Sequence, residues 1–255
     1  MTLAPFLALT FTISLAGFAC ILAIPAARSP ESLAGLPFWL VMVWGPSLAA
    51  LILSARAGDL GALLARAVKT SGVPLSAWAL VLAPLAMVAL LRPVAPDAAT
   101  PVGLGTAFAL VGFNLILGPL GEELGWRGVM QEQLNPRLGW LFASLIVGVV
   151  WLAWHLPLWT IDSPHAQIAL PIFAAHCLLY AIIIGAAYTL SGGSILPAIL
   201  VHLTVNVAAN LAIFAGFRDP NAWFNASLAP YAVLALAAIL LVYARTGPAS
   251  LTPTP

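Results

Sequence analysis

Residues 102–128 read VGLGTAFALVGFNLILGPLGEELGWRG, and this stretch decides the fold. From Val102 to Gly121 there is no ionisable side chain, a run long enough for a helix to cross a hydrocarbon core about 30 Å thick. Directly behind it come Glu122, Glu123 and Arg127. The same reading extends along the rest of the chain. Of its 255 residues 62% are hydrophobic and 7% charged, against about 45–50% and about 25% for a soluble domain, so a soluble globular protein is excluded. Apolar stretches fall at roughly 3–27, 36–55, 75–91, 102–133, 138–158, 168–190, 194–216 and 227–244. Lipid satisfies no backbone polar group, so each of them must be helical. The fold class is therefore all-α, a polytopic membrane bundle of about eight transmembrane helices. The first stretch is read as a retained helix and not a secretory signal, because no Lys or Arg precedes Arg28.

Charge narrows the function classes. A formal net charge of +1 gives no basic footprint for nucleic acid. Cys20 and Cys177 lie in apolar runs and read as small buried hydrophobes, with no disulfide framework and no cysteine-based zinc site. With eight spans, Arg56, Arg66, Lys69, Arg127, Arg137 and Arg245 fall on the side of the two termini, and Arg28, Arg92 and Arg218 on the other. The excess of cations places both termini in the cytoplasm. No internal repeat or long linker divides the chain, so residues 1–255 are read as one membrane domain. Leu60, Leu63, Leu64 and Val68 recur at helical spacing among Arg56, Arg66 and Lys69, which predicts a short surface helix between the second and third spans. Pro46, Pro84, Pro119 and Pro197 fall inside or at the ends of spans and predict kinks.

Ionisable residues that cannot reach an interface carry the functional information. Three groups qualify: Glu122-Glu123-Leu124-Gly125-Trp126-Arg127-Gly128, Trp151-Leu152-Ala153-Trp154-His155, and His202-Leu203-Thr204-Val205-Asn206. Taking Asn135-Pro136-Arg137 as the turn, Glu122 lies about 20 Å before it, His155 about 27 Å after it, and His202 about 12 Å into its own span. A kink at Pro119 lets the three meet. Asn114, Gly118 and Glu122 share one helix face, as do His202, Asn206 and Asn210, because residues four apart are neighbours. Glu123 and Arg127 are also four apart, in the favourable order, so Arg127 neutralises Glu123 and leaves Glu122 for chemistry. A charge at helix centre costs about 2.5–3.5 kcal/mol even on the lenient insertion scale, and such a cluster needs an offset that pairing and a hydrated cavity supply.

A buried glutamate that activates water, a histidine that moves a proton, and a histidine with an asparagine that donate to an oxyanion make up the parts of a peptide hydrolase. In that reading Glu122 is the base, His155 its partner, His202 and Asn206 the oxyanion hole, and Glu123 and Arg127 structural support. No cofactor is assigned. Glu122, His155 and His202 are also one carboxylate and two imidazoles, a set that suits catalytic zinc, although the His-Glu-x-x-His signature is absent. Buried carboxylate and histidine chains also serve proton-coupled transporters, and a non-catalytic immunity scaffold would hold its helices together with the same cluster. His176 with Tyr180 reads as a packing pair, and His165, in a loop, is assigned no role.

Glu122-Glu123-x-x-x-Arg127, the aromatic Trp151 ahead of His155, and His202-x-x-x-Asn206 together resemble the three motifs of the CPBP family, the CAAX-protease and bacteriocin-processing, Abi- or Rce1-like intramembrane glutamic endopeptidases. The resemblance covers roughly residues 102–215, the expected catalytic core. It implies a multi-pass protease of a bacterial inner membrane that cuts a membrane-associated protein or peptide near the cytoplasmic face. Relatives remove the tripeptide of prenylated CAAX proteins or serve in bacteriocin maturation and immunity. The family pattern often has Phe at the place of Trp151, a departure expected to touch packing and not chemistry.

Overall fold

The computed structural model describes residues 2–161 and 163–247, and all their regular structure is helical. In chain order the helices are α1 (Leu3–Ala23), α2 (Leu36–Val43), α3 (Gly45–Ala57), α4 (Leu60–Val68), α5 (Leu75–Leu91), α6 (Leu104–Ile116), α7 (Pro119–Gly125), α8 (Glu132–Leu138), α9 (Trp140–His155), α10 (Leu170–Leu190), α11 (Leu196–Ala215) and α12 (Pro220–Thr246). A π-helical turn, Trp126–Gln131, joins α7 to α8. Among the described residues seven helical segments are long and apolar enough to cross a bilayer, and up to eight if the bent pair α2–α3 is one span. The protein is an integral, multi-pass helical bundle.

Two of the expected spans are broken, and the breaks face each other. α2 and α3 meet at a bend of 59°, with Pro46 in the first turn of α3, where its missing N–H costs nothing. The long fourth span is interrupted at Leu117 and Gly118, after which Pro119 opens α7. A break in a span exposes carbonyls that lipid cannot satisfy. Here the two breaks satisfy one another's needs: Trp44 Nε1 donates to the Ile116 carbonyl at 2.8 Å, and Ser47 Oγ to the Leu120 carbonyl at 2.8 Å. Small residues permit the approach. A Cβ on Gly125 would lie 2.6 Å from Pro46 Cβ, and one on Gly121 2.9 Å from the Val43 carbonyl.

The turn between the fourth and fifth spans lies later than expected. Asn135, Pro136 and Arg137 belong to α8, and the chain reverses at Gly139, whose φ of 73° is one that glycine adopts without steric penalty. The last helix is longer than its apolar core, beginning at Pro220 behind the capping side chain of Asp219. α10 lies at the centre, packed on α9, α11, α12 and α5. α6 lies at the rim with no buried residue, presenting Leu104, Phe108, Val111, Phe113 and Ile116 outward, as a lipid-facing helix does. The amphipathic stretch after Arg56 forms α4. It buries Leu63 and leaves Leu64 and Val68 exposed. Arg66 ties it down, bonding the Gly128 carbonyl at 2.6 Å, Tyr188 and Glu132.

Candidate active site

α7 with its π-helical turn, α9 and α11 each contribute one of the three polar groups. Glu122, Glu123, Arg127, His155 and His202 are all buried. A π-helical insertion is rare and clusters at functional sites; this one directly follows the two glutamates. Arg127 Nη1 donates to both oxygens of Glu123, at 2.9 and 3.0 Å. The same carboxylate is met from the other side by His202 Nδ1, 2.7 Å from Oε1. Glu123 thus bridges α11 to its own helix.

Among the described residues, no cation is bonded to Glu122. Its Oε2 accepts from two indoles, Trp126 Nε1 at 3.1 Å and Trp151 Nε1 at 2.6 Å. The Trp151 ring fills the centre of the site, with its centroid 5.3 Å from the His155 ring, 5.1 Å from the His202 ring and 6.0 Å from the Arg127 guanidinium carbon. His155 Nδ1 lies 2.8 Å from the Trp151 carbonyl. A carbonyl only accepts, so Nδ1 carries the hydrogen and a neutral His155 presents a bare Nε2. His202 donates from Nδ1 to a carboxylate, and its Nε2 is a base when the ring is neutral and a donor when it is imidazolium.

Asn206 is placed by a close approach between α11 and the break in the fourth span. A Cβ on Gly118 would come within 2.8 Å of Asn206 Nδ2 and 2.7 Å of the Asn114 carbonyl, so glycine makes room for the amide. One turn along, Asn210 Nδ2 bonds the Asn206 carbonyl at 2.9 Å and Asn114 Oδ1 at 3.2 Å. The two polar stripes thus meet at this seam.

Residues 103–208, which contain Glu122, Glu123, Arg127, Trp151, His155, His202 and Asn206, match the family described as type II CAAX prenyl endopeptidase Rce1-like. This stretch of the chain is similar to the Rce1-like family. A 60-residue stretch is 38% identical to CAAX prenyl protease 2 of Methanococcus maripaludis, and covers 24% of this chain and 22% of that protein. The chain therefore spans about a fifth of the length of the curated relative it matches.

Three details of this Rce1-like core differ from what the sequence suggests. Trp151 is more than packing: its N–H is the shortest bond to Glu122, a contact between residues 29 apart that no local pattern announces. Among the described residues no hydrogen bond joins His155 to Glu122; the bonded neighbours of Glu122 are the indoles of Trp126 and Trp151, and His155 stands one turn beyond. His165, assigned no role from its loop, has its ring 5.5 Å from that of His155, because the short turn Pro164–Gln167 folds back over the end of α9. Burial pushes the His165 imidazole down to about 4, and its Nδ1 is shut off from solvent without a partner.

The zinc alternative meets a geometric obstacle. Among the described residues no three His, Cys, Asp or Glu side chains form a group able to hold a metal ion. The His155 and His202 rings lie against the Trp151 ring, at 5.3 and 5.1 Å.

Proposed function

We propose that this chain is an intramembrane endopeptidase that hydrolyses a peptide bond of a membrane-associated, CAAX-like or leader-bearing protein or peptide, with Glu122 as the base that activates water and residues 102–215 as the catalytic core. The observation that carries this reading is the asymmetry of the two adjacent glutamates. Glu123 is neutralised by Arg127 and tied to His202, whereas Glu122, also buried, has among the described residues only neutral donors, both on one oxygen. A buried carboxylate that no cation bonds directly is costly to hold, and an ionisable group kept at such cost inside a membrane marks a functional site.

In the proposed step, Glu122 takes a proton from water and the hydroxide adds to the scissile carbonyl. The oxyanion is received by the Nε2–H of an imidazolium His202 and by the Asn206 amide, donors held in place before the charge develops. With Glu122, Glu123 and Arg127 charged, a protonated His202 brings the cluster to zero net charge. Collapse of the adduct breaks the C–N bond, and the leaving amine takes the proton from Glu122. His155, its Nε2 bare, accepts the remaining proton of the new carboxyl group and passes it on. The cation distribution in the sequence supports both termini in the cytoplasm.

The test is cleavage of quenched membrane-associated peptides, prenylated CAAX peptides among them, by purified protein in detergent, with Glu122→Gln alongside and with a chelator in a parallel arm. The expected result is cleavage that resists chelation and falls by about 10²–10⁴-fold in the variant, the range for loss of a general base. Equal cleavage by the variant would overturn the assignment.

A further inference from the structure

The geometry points to Trp151 as a positioning residue that holds the Glu122 carboxylate in one orientation, so that Oε1 and not Oε2 is the atom that takes the proton from water. This inference rests on the proposed role of Glu122. Two N–H donors converge on Oε2, and the one from α9 is the shorter, at 2.6 Å against 3.1 Å for Trp126. No protein donor reaches Oε1 among the described residues. A carboxylate bonded through one oxygen keeps its second oxygen as the stronger base, and it cannot turn about its terminal bond without losing both donors.

The two indoles are themselves held. Trp126 follows Glu122 by one turn of the same helical segment and is fully buried, edge-on to Phe6 at 6.2 Å and to Trp154 at 6.3 Å. Trp151 is wedged between the two site histidines, and its backbone carbonyl receives His155 Nδ1. One residue therefore orients both proton-moving groups: its side chain fixes Glu122 and its main chain fixes the tautomer of His155. A phenylalanine would fill most of the same space and leave Oε2 with the longer bond alone.

The experiment compares wild type, Trp151→Phe and Trp126→Phe for kcat and KM on a cleaved peptide. It also records the infrared carboxyl band of Glu122, assigned as the band that Glu122→Gln removes. The expected result is a fall in kcat of about tenfold or more for Trp151→Phe, a smaller fall for Trp126→Phe, KM unchanged in both, and a displaced Glu122 band in each. If Trp151→Phe does not fold, benzothienylalanine at position 151 removes the N–H while preserving ring shape. Unchanged kcat and an unmoved band would overturn the inference. Were the wild type to cleave no peptide, the protease reading would fall, and the band alone would decide whether Trp151 holds Glu122.

Discussion

His202 and Glu123 are joined across 79 positions of sequence by a 2.7 Å hydrogen bond, on a carboxylate that Arg127 already grips through both oxygens. This bond makes Glu123 the member of the pair whose loss costs most stability. Replacing Glu123 with Gln leaves Arg127, fully buried, without its counter-charge, which is expected to cost about 3–5 kcal/mol. Among the described residues Glu122 is bonded only by the neutral indoles of Trp126 and Trp151, and Glu122→Gln is expected to cost less. Unfolding in detergent, followed by circular dichroism on both variants, checks the order.

The seam between the two broken spans predicts a second ranking. Ser47, fully buried, donates to the Leu120 carbonyl, and Ser47→Ala removes that bond at a cost of about 0.5–1.5 kcal/mol. The lowered thermal midpoint should be accompanied by faster hydrogen exchange in the first turn of α7, since the carbonyl belongs to that helix.

Gly125 and Gly112 provide a matched pair. A Cβ at Gly125 meets Pro46 Cβ and its carbonyl, both at 2.6 Å, whereas at Gly112 nothing lies within 4 Å. Gly125→Ala is expected to destabilise by about 1–3 kcal/mol through overpacking. Gly112→Ala is expected to be neutral or to stabilise by up to about 1 kcal/mol through helix propensity. Equal midpoints for the two variants would contradict the close approach of α3 and α7.

Acid should be felt at His165, in the turn between the fifth and sixth spans. Its folded value of about 4 lies below the ordinary 6.5 because burial disfavours the cation. The stability tied to keeping it neutral is therefore fully present above about pH 6.5 and is lost as pH falls toward about 4, where the folded protein also takes the proton. His165→Phe should lose less stability than wild type between pH 7 and 4.5, measured by unfolding midpoints across that range.

The spans were legible in the sequence because the bilayer sets one length scale and excludes charge, so an apolar run such as Val102–Gly121 has few alternatives. The pairing of Glu123 with Arg127 was legible too, since four residues of one helix bring side chains to the same face. So was the similarity to the matched family, because the three motifs that carry it lie each within a single helical stretch. The kink at Pro46 was legible, and the structure has a 59° bend there. Its tolerance was not, because the donors that make the break tolerable, Trp44 and Ser47, lie more than 70 positions from the carbonyls they bond.

Sequence by itself determined which residues had to be helical and membrane-embedded, and which few ionisable groups had to find partners there. Those are consequences of burial cost and helical periodicity, both local. Tertiary structure decided the partners: that Glu123 joins Arg127 to His202, that Glu122 is held by two indoles, and that His155 is reached through Trp151. A hydrogen bond is made or lost within a few tenths of an ångström, and that accuracy is set by how α7, α9 and α11 pack together and not by spacing along any one of them.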